Sequence, residues 1–162
     1  MDHRDQPMLV MPRHIAQAQQ LPQRSVLVLV YNPEYKLYVQ QRSPSKSSFP
    51  DCWDLSATGH VLPGESRFDA AIREVHEEIG LQVTQLREIV RLPATAQTNN
   101  EFVTLYSAGR IQQPPQPNPA ELRTGAYLDQ DEIDCLCNHF PDQITPALSY
   151  FWRQGLLLSH NP

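Results

Sequence analysis

Residues 59–81, GHVLPGESRFDAAIREVHEEIGL, constrain this chain more than any other stretch. Residues 66–79 carry a helical period, and Gly80 follows as a residue able to take the positive φ of a helix C-terminus. At about 100° per residue, Phe68, Ala71, Ile72, Val75 and Ile79 share one apolar face, suited to docking against a sheet. Glu74, Glu77 and Glu78 fall within roughly one third of the circumference, at the rim of that face.

Three carboxylates at i, i+3 and i+4 repel one another unless something neutralises them. Arg73 is one partner, and a hard divalent cation is the simpler one. Magnesium prefers carboxylate and water oxygens and often shares its coordination with substrate phosphates. The chain holds 13 Lys and Arg against 18 Asp and Glu, a net charge of −5. That balance gives no general attraction to nucleic acid or anionic membranes, so an acidic site needs a cation to admit an acidic substrate. Taken alone, such a glutamate string more often marks a solvated helix face.

The surroundings read as a mixed sheet with dispersed helices. Residues 25–31, SVLVLVY, form a continuous β-branched run expected of a strand buried on both faces. Residues 32–34 read as a turn and 36–42 as the returning strand, followed by a polar loop over 43–49. Residues 53–61 return to the sheet before the helix. Further strands are expected at 86–92, 101–111 and 126–128, and a helix from Asp129. A last helix has Thr145 as N-cap and Pro146 in its first turn, with Gly155 as its stop. The Pro-rich residues 114–119 form a loop. In residues 1–24, Pro7, Pro12 and Pro22 interrupt any helix or strand, leaving a surface segment or a short edge element. The domain division expected is therefore an N-terminal extension over 1–24, one domain over 25–157 and a tail over 158–162.

No apolar run approaches the roughly 20 residues of a membrane span, and the first residues show no signal-peptide pattern. Cys52, Cys135 and Cys137 offer no disulfide framework. These features point to a soluble, cytoplasmic protein that binds neither nucleic acid nor membrane.

Residues 59–81 match G-x5-E-x7-R-E-U-x-E-E-x-G-U, with U aliphatic, at every specified position. A chance match is on the order of 10⁻⁷ at ordinary residue frequencies. On this motif the chain is identified as a member of the Nudix hydrolase superfamily. The hairpin ending in Gln-Gln-Arg, the tryptophan before the motif and Tyr127-Leu-Asp-Gln-Asp-Glu-Ile133 extend the resemblance over most of 24–155. It implies an α/β (α+β) fold: an α/β/α sandwich around a mixed sheet, with the motif as loop–helix–loop. It also implies a pyrophosphohydrolase that uses Mg2+, with Mn2+ as substitute, to cleave a small-molecule nucleoside diphosphate linked to a second group. Glu74, Glu77 and Glu78 match the metal-binding glutamates, and the Gly59 carbonyl is a further ligand candidate. Arg73 matches the arginine that orients them, and Glu65 the supportive first glutamate. Water would attack phosphorus, with Glu77 or Glu78 as general base and Glu121 as the candidate outside the motif. Many family members are homodimers.

Residues 40–53, QQRSPSKSSFPDCW, followed by Gly59-His60, also resemble isopentenyl diphosphate isomerase. That resemblance implies a catalytic cysteine where Thr58 stands and a metal-binding histidine where Gln23 stands. A threonine hydroxyl is a poor acid or base, so an isomerase is the weaker alternative. A silent fold used for ligand sensing is another, opposed by the intact glutamates. Substrate choice is expected to lie in loops 43–52, 93–101 and 112–121.

Overall fold

The computed structural model describes residues 1–158, so the expected tail at 158–162 lies, beyond Leu158, outside the described residues. Its backbone is a seven-stranded mixed sheet between two helical layers. In chain order the elements are α1 (Arg13–Ala18), β1 (Gln23–Tyr31), β2 (Leu37–Arg42), β3 (Trp53–Asp54), β4 (Ala57–His60), α2 (Arg67–Ile79), β5 (Arg87–Leu92), β6 (Glu101–Arg110), β7 (Leu122–Leu128), α3 (Gln130–His139) and α4 (Pro146–Arg153).

Strand β1 is the organiser because its side chains serve both faces. Val26, Val28 and Val30 pack with Ala70, Ala71, Val75 and Ile79 of α2. Leu27, Leu29 and Tyr31 pack with Ile133 of α3 and with Leu148 and Phe151 of α4. A β-branched run without polar alternation is the pattern such double burial needs. Strand β1 runs parallel to β6 along most of its length and antiparallel to β4, while β2 lies between β3 and β7. β1 and β2 pair only at Tyr31–Leu37, next to their turn, and then diverge. Buried Ser56 bridges the split: its Oγ accepts from Val30 N at 2.9 Å and donates to the Tyr38 carbonyl. The opening between the diverging strands is where α2 lays its glutamates.

Local chemistry sets the helix ends. Ser66 Oγ accepts from Asp69 N at the start of α2, and Gly80 closes it at φ 67 with its N–H on the His76 carbonyl. Asp129 and Glu132 form a capping box at α3. Thr145 caps α4 ahead of Pro146, and Gly155 takes φ 68.

Several expectations need correction. A six-residue helix, α1, forms between Pro12 and Pro22, since prolines outside the helix interior need not break it. Strand β1 begins at Gln23, inside the expected extension. Residues 53–61 form two short strands, β3 and β4, because the chain passes from β2 to β1 across the split. Strand β7 begins at Leu122 rather than at 126, through its pairing with β2. Phe68 does not dock: it is exposed, and Ala70 takes its place against the sheet.

Candidate functional site

Each glutamate of α2 meets a different environment. Glu78 is only 3% exposed, deeper than the rim its helical position suggests. Its Oε2 accepts from Thr58 N at 2.9 Å and from Gln40 Nε2 at 2.8 Å. Burial pushes its carboxyl up to about 8, against the pull of those two donors. Glu74 is half-buried, and burial raises it too, opposed by the guanidinium of Arg73. Glu77 is exposed and accepts from Arg73 Nη1 at 3.2 Å.

Arg73 is the hub behind these groups. Its Nε donates to Glu65 Oε1 at 2.8 Å and its Nη2 to Glu65 Oε2 at 3.1 Å, a forked pair that fixes the guanidinium plane. The same guanidinium donates to Glu74 Oε1 at 2.7 Å and to the His60 carbonyl at 3.0 Å. Hydrogen bonding to Glu65 holds Arg73 above its already high ordinary value. Glu65 is lowered in return, chiefly by Arg73. Gly59 lies on β4 opposite Val26, and a Cβ there would overlap the Glu74 carboxylate. Glycine is what lets strand and side chain approach.

Loop 112–121 docks on the end of α2. Gln116 N donates to the Ile79 carbonyl and Asn118 N to the Glu78 carbonyl, each at 2.8 Å. Prolines rigidify this loop, so the docking carries Glu121 to the site, where it pairs with Lys46. A cleft of about 600 Å³ collects the parts. Glu74, Glu77, Glu78, Gly59 and Glu121 all line it, while Arg73 stands behind it, bonded to Glu65 and Glu74. Glu121 is therefore a cleft residue rather than an ordinary loop acid.

Arg42 and Lys46 line the same cleft. Arg42 Nε donates to the Ser48 carbonyl at 3.1 Å, and its Nη1 lies 3.5 Å from buried Asp54. Burial raises Asp54, which accepts from Thr145 Oγ1 at 2.8 Å. His60 bonds Glu101 at 2.8 Å at the rim. Gln40, Arg42, Lys46 and Asp54 were not singled out from sequence. The signal for Gln40 was a polar pair interrupting an apolar strand; nothing in the sequence marked Asp54 as facing the cleft.

The cleft wall holds six carboxyl groups against three Lys and Arg side chains, so its donor set suits a hard cation. As the side chains stand, no three His, Cys, Asp or Glu among the described residues converge on one point. Glu74 is turned to Arg73 and Glu78 to Thr58 N. One oxygen of each carboxylate is engaged there, leaving the other for a ligand.

A family model for the NUDIX domain matches residues 21–148. Over 107 residues the chain is 36% identical to the uncharacterized Nudix hydrolase PA4841 of Pseudomonas aeruginosa, covering 66% of this chain and 63% of that protein. It is 34% identical over 116 residues to an isopentenyl-diphosphate Delta-isomerase of Streptomyces griseus, covering 68% of this chain and 58% of that protein. The matched part is thus less than two thirds of either relative's length. The crystal structure of DR0079 from Deinococcus radiodurans superposes with a TM-score of 0.72 at 25% identity, covering 82% of each chain.

Proposed function

Because this chain belongs to the Nudix family, we propose that it hydrolyses a diphosphate linkage in a nucleoside diphosphate joined to a second group. The observation that carries this reading is the gathering of Glu74, Glu77, Glu78 and Glu121 in one cleft with Arg42 and Lys46. Carboxylates of this kind suit a divalent metal, and cationic side chains beside them suit phosphate oxygens.

Glu74, Glu77, Glu78 and the Gly59 carbonyl would hold Mg2+, or Mn2+ in its place. The bound ion supplies charge neutralisation at phosphoryl oxygens and a more acidic water. Arg73 keeps Glu74 in place through its fork on Glu65. Thr58 N and Gln40 hold one oxygen of Glu78. Arg42 and Lys46 would bind the non-bridging oxygens. A water oxygen bonds to phosphorus, the bond from phosphorus to the leaving phosphate oxygen breaks, and the water proton passes to a carboxylate. Glu77 or Glu78 is the favoured base, and Glu121, which lines the cleft and pairs with Lys46, is the third candidate. Free Cys52, Cys135 and Cys137 suit a cytoplasmic setting. The homodimer expected of the family is tested by sedimentation.

An isomerase reading has the Streptomyces griseus relative in its favour. Proton transfer at carbon needs groups that gain and lose protons near neutrality. Thr58 supplies none in place of the cysteine, and Gln23 cannot replace a ligating histidine.

The test is phosphate release from ADP-ribose, NADH, nucleotide sugars, dinucleoside polyphosphates, nucleoside triphosphates and isopentenyl diphosphate, with and without Mg2+. Metal-dependent turnover abolished by Glu78→Gln is the expected result. No turnover, with a ligand still bound, would instead support sensing. Isomerisation of isopentenyl diphosphate would overturn the proposal.

A further inference from the structure

The segment before β1 is tied to the body at two places. Asp5 accepts from Arg24 Nε at 2.6 Å and pairs with Arg67 at the start of α2. The Gln20 carbonyl accepts from Asn100 Nδ2 at 2.6 Å, joining the end of α1 to loop 93–100. Ala16 is the buried residue of α1. Between these anchors α1 is held along one flank of the cleft, which Arg13 and Gln17 line together with Gln97 and Asn99 of the neighbouring loop. No hydrogen bond engages those four side chains among the described residues, and the charge of Arg13 reaches the Glu101 carboxylate on the same wall.

Strand order places this flank opposite the cations. β6 and β5 lie on one side of β1, and β2, which leads into Arg42 and Lys46, lies on the other. A diphosphate crossing the glutamates of α2 therefore presents one end to Arg42 and Lys46 and the other to α1.

We propose that the N-terminal segment completes the substrate site: Arg13 and Gln17, with Gln97 and Asn99, bind the distal group of the substrate, and that group is a sugar. The proposal rests on the hydrolase reading above. A primary amide offers donors and an acceptor at once, which matches hydroxyls that also donate and accept. A nucleobase calls for a flat stacking partner. The aromatic residues of the cleft wall, Phe49, Tyr150 and Phe151, come from loop 43–52 and α4, none from α1 or loop 93–100. Arg13 adds a charge-assisted bond to a sugar oxygen or to the phosphate bearing it. Asp5 acts at a distance, as the anchor that holds α1 in place.

The experiment compares steady-state constants for UDP-glucose and for ATP, whose phosphate chain carries no second group at its far end, in the parent and in Gln17→Leu, Arg13→Ala and Asp5→Ala. Gln17→Leu raises KM for UDP-glucose about fivefold or more, with kcat within about twofold and KM for ATP little changed. Arg13→Ala and Asp5→Ala raise KM for UDP-glucose in the same way. An unchanged KM for UDP-glucose in both Gln17→Leu and Arg13→Ala overturns the proposal, as does an equal rise for ATP in Gln17→Leu. If nothing is hydrolysed, the hydrolase reading fails separately. Calorimetric binding of UDP-glucose to Glu78→Gln with and without Gln17→Leu then decides this proposal alone: weakened binding sustains it, and equal or absent binding overturns it.

Discussion

The backbone of Gly59 and the carboxylate of Glu74 lie so close that no side chain fits at residue 59: a Cβ there would overlap Cδ and Oε1 of Glu74. Because Arg73 and its fork on Glu65 hold Glu74 from behind, the carboxylate cannot simply retreat. Gly59→Ala should therefore displace Glu74 into the cleft, at a stability cost of about 1–3 kcal/mol. The expected signature is a loss of Mg2+-dependent turnover of 100-fold or more in a protein that still melts cooperatively. Activity near that of the parent would show that Glu74 does not need its present position.

Arg73 and Glu65 meet through two parallel hydrogen bonds, a geometry that an ammonium cannot reproduce. Arg73→Lys keeps the charge and loses the fork. It should raise the Mg2+ concentration for half-maximal activity by roughly 10–100-fold, and Glu65→Gln should act in the same direction. A metal titration of activity checks this. No shift in either variant would remove Arg73 from its positioning role.

Glu78 makes stability depend on pH in a defined direction. Its ordinary value is 4.5, and burial raises the folded value to about 8. Below 4.5 both states hold the proton and the group adds no dependence. Between 4.5 and 8 the unfolded chain ionises while the folded one keeps its proton, so stability falls by up to about 1.4 kcal/mol per pH unit as pH rises. Above 8 the loss levels off. Asp54 and Glu74, also raised by burial, add in the same sense. Melting temperatures in EDTA should therefore drop between pH 5 and pH 8. Glu78→Gln should flatten part of that slope, and Mg2+ should restore stability most at the alkaline end. A flat profile for the parent in EDTA would contradict this account of Glu78.

Lys46 and Glu121 close the cleft on the side of loop 43–52. Since Lys46 engages Glu121 while Glu78 is buried at the centre, Glu121→Gln should lower kcat by no more than about tenfold, against more than about 100-fold for Glu78→Gln. Single-turnover measurement separates the two. A collapse of kcat in Glu121→Gln alone would move the general base to the loop.

The buried strand, the motif helix with its Gly80 stop, the start of α3 and the cap of α4 were legible because their determinants are local. Residues 25–31 state their double burial in composition alone, and Ser66, Gly80, Asp129 and Thr145 act on neighbours within a turn. The glutamates were legible as a set for the same reason, since helical spacing alone puts them together.

Local patterns in the chain carry the family, the buried central strand, the motif helix and the set of glutamates it bears. How each carboxylate behaves follows instead from the packing of distant segments. The splitting of β1 from β2 buries Glu78 against Thr58 and Gln40 and leaves Glu77 in solvent. Docking of a proline-stiffened loop on the end of α2 brings Glu121 to the cleft, and the anchors at Asp5 and Asn100 bring α1 to its flank. Burial and ion pairing depend on contacts between residues far apart in the chain. Local periodicity and capping carry no record of those contacts.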